Sequence, residues 1–164
     1  MLPYCAGFKN ELLDAFSREL PIAIWIVLAR ELECTYLLRG QHLPVQGRTL
    51  RDVYFPADAT VAVFGCPAEQ SCAVAYIGYR DMTPVGELVG RNMNVAGCRF
   101  EVETPGIAYK IQRETFLKIV RVSEYLQALV TALDHRLSFR VAADRRLVGS
   151  LNNDLMQRMA RRNH

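Results

Sequence analysis

Residues 33–65 read ECTYLLRGQHLPVQGRTLRDVYFPADATVAVFG. Within them the β-prone runs Thr35–Leu38, His42–Val45, Val53–Phe55 and Thr60–Phe64 are cut off in turn by Arg39-Gly40, Gly47, Pro56 and Gly65. Glycine opens backbone conformations that suit turns, and proline lacks the N–H that a strand ladder needs. The same rhythm continues through Cys72–Gly78, Arg99–Thr104 and Ile107–Gln112. Short strands at such close spacing specify an antiparallel sandwich or jelly roll and exclude the alternating strand and helix order of a Rossmann sheet.

Helical patterns flank this region. Asn10 is placed to cap a helix carrying Leu12, Leu13 and Phe16, and Pro21 suits the first turn of a second helix whose packing face reads Ile22, Trp25, Ile26 and Ala29. After Gln112, Phe116, Ile119 and Val120 have helical spacing. A longer helix comes next with Ser123 as its N-cap, and on it Leu126, Val130, Leu133, Leu137 and Val141 recur at steps of three and four, with Val148 continuing the stripe. At about 1.5 Å per residue this helix runs to roughly 35 Å or more, longer than a small sandwich covers. Part of the stripe is therefore expected to meet a second chain. Gly149-Ser150 ends the helix, and Leu151–Arg161 forms a last short one with Leu155 and Met159.

The chain has 164 residues, 51% hydrophobic and 23% charged, which is the make-up of an ordinary globular domain. At this length a single core buries about 70% of the unfolded chain's surface, so neither a disulfide nor a structural metal is required. The longest apolar run, Pro21–Ala29, falls far short of a membrane span, and Glu11, Asp14 and Glu19 interrupt any secretory signal. A cytoplasmic location without membrane attachment is expected. The net charge of +3 is unevenly placed: up to His135 the acids slightly outnumber the bases, whereas Arg136, Arg140, Arg145, Arg146, Arg158, Arg161 and Arg162 concentrate the positive charge at the C-terminus.

The chemistry-bearing residues argue against catalysis. The only histidines are His42, His135 and His164, too few and too scattered for a cupin-type metal site. Cys5, Cys34, Cys66, Cys72 and Cys98 contain no C-x-x-C pair, so a zinc site is not expected. A Gly-rich phosphate loop and a His-Glu-x-x-His string are both missing. No enzyme, metal or resident cofactor is expected, and an effector, if one exists, is an unidentified small molecule.

Three strings, taken with the order of the elements, resemble the Crp/Fnr-type transcriptional regulators, whose sensory half is a cyclic-nucleotide-binding domain. They are Leu50-Arg51-Asp52-Val53-Tyr54-Phe55-Pro56, Gly86-Glu87-Leu88-Val89-Gly90 and Thr104-Pro105-Gly106-Ile107-Ala108. The resemblance implies a mainly β fold with flanking helices, a double-stranded β-helix jelly roll followed by a long dimerisation helix. It divides the chain into a sensor barrel with N-terminal helices (1–122), a dimer helix (123–148) and a short basic remnant of a helix-turn-helix domain (149–164). The segment after Val148 is too short for a recognition helix and its supporting turn, so sequence-specific DNA binding by this chain alone is not expected. The expected partner is a second copy joined through Leu126, Val130, Leu133, Leu137 and Val141, or a full-length relative in a mixed dimer.

The resemblance also places a ligand pocket at Gly86, Glu87, Leu88, Arg91, Cys98 and Phe100. In relatives that bind cyclic AMP, the Glu of the Gly-Glu motif accepts a hydrogen bond from the ribose and a following Arg-Ser pair holds the phosphate. Alignment through Thr104 puts Ala96 and Gly97 where that pair would stand. Burying a cyclic phosphate without a cation costs several kcal/mol. Arg91 and Arg99 are the available substitutes, but alternation along the strand groups Arg99 with Glu101 and Glu103 on one face and Cys98, Phe100 and Val102 on the other. The charged face belongs to solvent. The sequence thus implies a regulatory sensor and interaction module that does not bind cyclic AMP in the usual way. The alternatives are a working cyclic-nucleotide receptor, or a redox or haem sensor using Cys98 or the pair Cys66 and Cys72.

Overall fold

The computed structural model describes residues 21–46, 49–64, 73–84 and 98–133. Helix α1 (Ile22–Glu31) leads into β1 (Glu33–Leu37), followed by β2 (Val45–Gln46), β3 (Thr49–Leu50), β4 (Asp52–Pro56), β5 (Thr60–Phe64), β6 (Ala75–Ile77), β7 (Arg99–Thr104) and β8 (Gly106–Gln112). Helix α2 (Arg113–Arg121) and helix α3 (residues 124–133) close the described chain. The expected run His42–Val45 is broken: His42 forms an isolated bridge to Glu101, and Val45 starts a two-residue hairpin arm paired with β3.

Among the described residues every strand pairing is antiparallel. One sheet has the order β1-β8-β4, and a second has the order β6-β5-β7. The second is widened by residues 40–43, where the Gly40 N–H donates to Val102 O (2.8 Å) and the Leu43 N–H to Phe100 O (3.0 Å). Gly40 takes φ +77° in the turn from Leu38 to Gln41, a conformation that glycine adopts at no steric cost. This accounts for the Arg39-Gly40 break in the sequence.

Two hydrophobic cores lie on opposite sides of the first sheet. Leu37, Tyr54 and Ala108 face the second sheet and pack with Val61, Val63, Ile77, Phe100 and Val102 to fill the roll. Val53, Phe55, Tyr109 and Ile111 face the helices and pack with Trp25, Leu28, Phe116 and Val120. The Phe55 and Phe116 rings meet edge to face, with centroids 5.7 Å apart and an interplanar angle of 70°. Because both faces are covered, β4 is buried at four successive positions and shows no alternation of polar and apolar residues.

Two expectations about the helices are corrected. On α1 the buried residues are Trp25 and Leu28, whereas Ile22 (76% exposed) and Ile26 turn outward. The helix is apolar nearly all round, so its sequence does not mark the inward face. On α3, Leu126 and Val130 are 2% and 1% exposed and sit in the core with Trp25, Phe116 and Val120, not in the dimer seam expected from the stripe. Side chains already enclosed by their own chain offer no surface to another, and the face of the core left open by α1 and α2 is what α3 covers first. Leu133 packs against the same cluster, while Leu137 and Val141 lie outside the described residues.

The Ser123 cap does form. Its Oγ accepts the Leu126 N–H at 3.2 Å, and the residue is buried. Ser123→Ala is expected to cost about 1 kcal/mol, read as a fall of roughly 2–4 °C in the midpoint of thermal unfolding; no change would show that α3 holds its start by packing alone.

Candidate functional site

Of the pocket residues inferred from sequence, Gly86, Glu87, Leu88 and Arg91 lie outside the described residues. Cys98 immediately precedes β7, and Phe100 lies on it; β7 pairs with β5 so that Phe100 stands opposite Val63 and Val102 opposite Val61. Phe100 is 1% exposed and packed inside the roll, with half-buried Cys98 against the same cluster. Phe100 lines neither the hollow beside Arg39 nor the cavity beside Arg51, and it packs in the interior of the roll. Cys34 and Cys98 are not joined in a disulfide. Cys66 and Cys72 lie outside the described residues.

Side chains alternate along β7 as expected. Phe100 and Val102 point into the roll, and Arg99, Glu101 and Glu103 point away from it. The Arg99 guanidinium lies 4.2 Å from the centroid of the Phe64 ring, and its Nη2 is 3.8 Å from Glu101 Oε2. The same Glu101 oxygen is 3.5 Å from His42 Nε2. Arg99 is thus held over an aromatic face and a carboxylate on the outside of the second sheet. Beside it runs a shallow hollow of about 510 Å³ bordered by Arg39, Phe64, Tyr76, Glu101 and Glu103. Its two carboxylates make it a poor place for a phosphate.

A second cavity, of about 550 Å³, opens at the end of the roll. Three strands of the first sheet build it. Glu33 on β1, Lys110 on β8 and Tyr54 on β4 stand in one row across the sheet, and Asp52 stands opposite Gln112 one step along. Leu37 forms part of the floor, and Glu31, Thr35, Arg51 and Thr115 complete the rim. Lys110 Nζ is 3.3 Å from Glu33 Oε2. Tyr54 is 4% exposed, and its backbone is fixed on both sides of the residue: its N–H donates to Thr83 Oγ1 at 2.9 Å, and its carbonyl accepts the Thr83 N–H at 2.9 Å. Burial, reinforced by the Asp52 carboxylate, pushes the Tyr54 phenol up to about 12, so the hydroxyl stays neutral at physiological pH.

Sequence reasoning missed this cavity. Its charged residues are separated by long stretches of chain, and each looks like the solvated face of its own strand. The available signal was parity: Glu33 shares its face with Leu37, and Asp52 with Tyr54, so the acids stand on the inward side near the strand ends. Among the described residues no cluster of three or more His, Cys, Asp or Glu side chains is arranged to hold a metal ion. Among the same residues no helix is long and apolar enough to cross a membrane.

No protein-family model and no curated protein sequence matches the chain. Solved structures do. A putative transcriptional regulator of the Crp/Fnr family from Eubacterium rectale superposes with a TM-score of 0.64 at 12% identity, over 77% of this chain and 59% of that one. A CooA mutant from Carboxydothermus hydrogenoformans gives 0.60 at 12% identity over 84% and 85% of the two chains. The C-linker/CNBHD of zELK channels, crystallised in the presence of cAMP, gives 0.54 at 18% identity over 73% and 60%. The chain thus spans about three fifths of the length of the regulator and of the channel fragment. A roll of two antiparallel sheets with a helix before and helices after, shared with CooA, a Crp/Fnr-family regulator and a channel fragment at such low identity, gives this chain the cyclic-nucleotide-binding jelly-roll fold.

Proposed function

We propose that the chain is a non-catalytic regulatory sensor and interaction module of the Crp/Fnr type, dimeric, whose roll does not take cyclic AMP in the usual way. The carrying observation is the direction of Arg99. The arginine nearest the expected phosphate position faces outward, over Phe64 and beside Glu101, while the inward positions of the same strand are filled by Phe100 and Val102. A cyclic phosphate entering from that strand would meet hydrocarbon. The likeness to Crp/Fnr regulators supports the regulatory reading; with Leu126 and Val130 enclosed by their own chain, the dimer contact is proposed on the later part of the same stripe, Leu133, Leu137 and Val141. The partner is a second copy or a full-length relative.

Isothermal titration with cyclic AMP and cyclic GMP tests this reading. No saturable heat is expected up to about 100 μM ligand. Micromolar binding of either nucleotide would overturn it and make the chain a working second-messenger receptor, with Arg91 the first residue to substitute. Sedimentation equilibrium tests the oligomeric part: a monomer at all concentrations removes the dimer.

A further inference from the structure

We propose that the cavity at the open end of the roll binds a small organic molecule carrying a protonated amine. Its place on the sheet and its chemistry are independent of the nucleotide question, so its failure leaves the proposed function standing.

Charge at the opening favours a cation. Glu31, Glu33 and Asp52 face Lys110 and Arg51 around it, an excess of one negative charge. Lys110 is already engaged by Glu33. Among the described residues neither Asp52 nor Glu31 has an ion pair. A cation gains from this arrangement, whereas an anion would enter a ring of carboxylates with one of the two cations already neutralised.

Tyr54 points the same way, independently of the acids. The side chain is almost entirely buried, and the residue lines the cavity. The hydroxyl borders the cavity, and the Thr83 clamp on its backbone prevents the strand from swinging it elsewhere. Being neutral, the oxygen has lone pairs free to accept a hydrogen bond. An ammonium group seated between the Asp52 carboxylate and the Tyr54 oxygen gives each an N–H to accept, and one of those bonds is charge-assisted. The Leu37 side of the floor takes the hydrocarbon part of the ligand, and about 550 Å³ is the size of a metabolite site.

The experiment uses the full chain, isotope-labelled and titrated with 1,4-diaminobutane while backbone amide shifts are followed. Succinate and 1-butanol serve as controls that keep the length and change the charge. Saturable shifts are expected at residues 31–35, 51–54 and 110–112 with the diamine and not with succinate. Asp52→Asn is expected to weaken binding about tenfold or more, and Tyr54→Phe a few fold. Glu31→Gln, at an exposed position, weakens it less and guards against a folding defect in the other two. Absence of saturable shifts with the diamine overturns the proposal. So does a response that Asp52→Asn leaves intact in a folded protein, or tighter binding of succinate.

Discussion

Phe116→Ala is expected to lower the midpoint of thermal unfolding by roughly 10 °C, corresponding to about 3–5 kcal/mol. Phe116 is fully enclosed, touches Phe55 edge to face, and joins α2 to the helix-facing side of β4. Alanine removes the ring from water-excluded surroundings and leaves a void between two rigid elements that collapse only partly. Phe116→Leu retains most of the volume and is expected to cost less than half as much. Calorimetry of the two variants checks this. Equal losses would mean that ring geometry, and not filled space, governs the contact.

Gly106→Ala has the second largest expected effect, and it acts by the opposite route. A Cβ at Gly106 would collide with the Asp58 carboxylate and stand 2.8 Å from Ala59 N. That corner is tightly wired: Asp58 Oδ1 accepts the Ile107 N–H, and the Ala57 N–H donates to Ile107 O at 2.9 Å. Making room for one methyl group means shifting backbone that holds the start of β8, at about 1–3 kcal/mol or a fall of roughly 5 °C. Gly78→Ala is the control, since a Cβ there meets nothing within 4 Å. Should both variants melt alike, the close approach at Gly106 is not a constraint on the fold.

How much of this was legible from the residues alone depends on how many strands a feature draws on. Within one strand the reading was good: parity alone put Phe100 and Val102 inside and Arg99 outside, as observed. Local caps and turns were equally readable, as at Ser123 and Gly40. Features assembled from distant segments were not. The cavity needs β1, β4 and β8 side by side before Glu33, Asp52 and Lys110 become neighbours. The stripe on α3 showed that Leu126 and Val130 needed cover without showing that α1 and α2 of the same chain supply it. On α1, apolar residues on every side left the phase of the helix undetermined until Trp25 was seen to be buried. The Gly86–Arg91 part of the inferred pocket lies outside the described residues.

Ala108 and Tyr109 are adjacent on β8, both wholly shielded from solvent, and they belong to different cores. A single peptide unit therefore serves as a party wall between the interior of the roll and the helical layer. Whatever displaces that wall from one room is felt in the other within the span of one residue. Any mechanical coupling between the two compartments would run through this strand, which is held by partners along both of its edges.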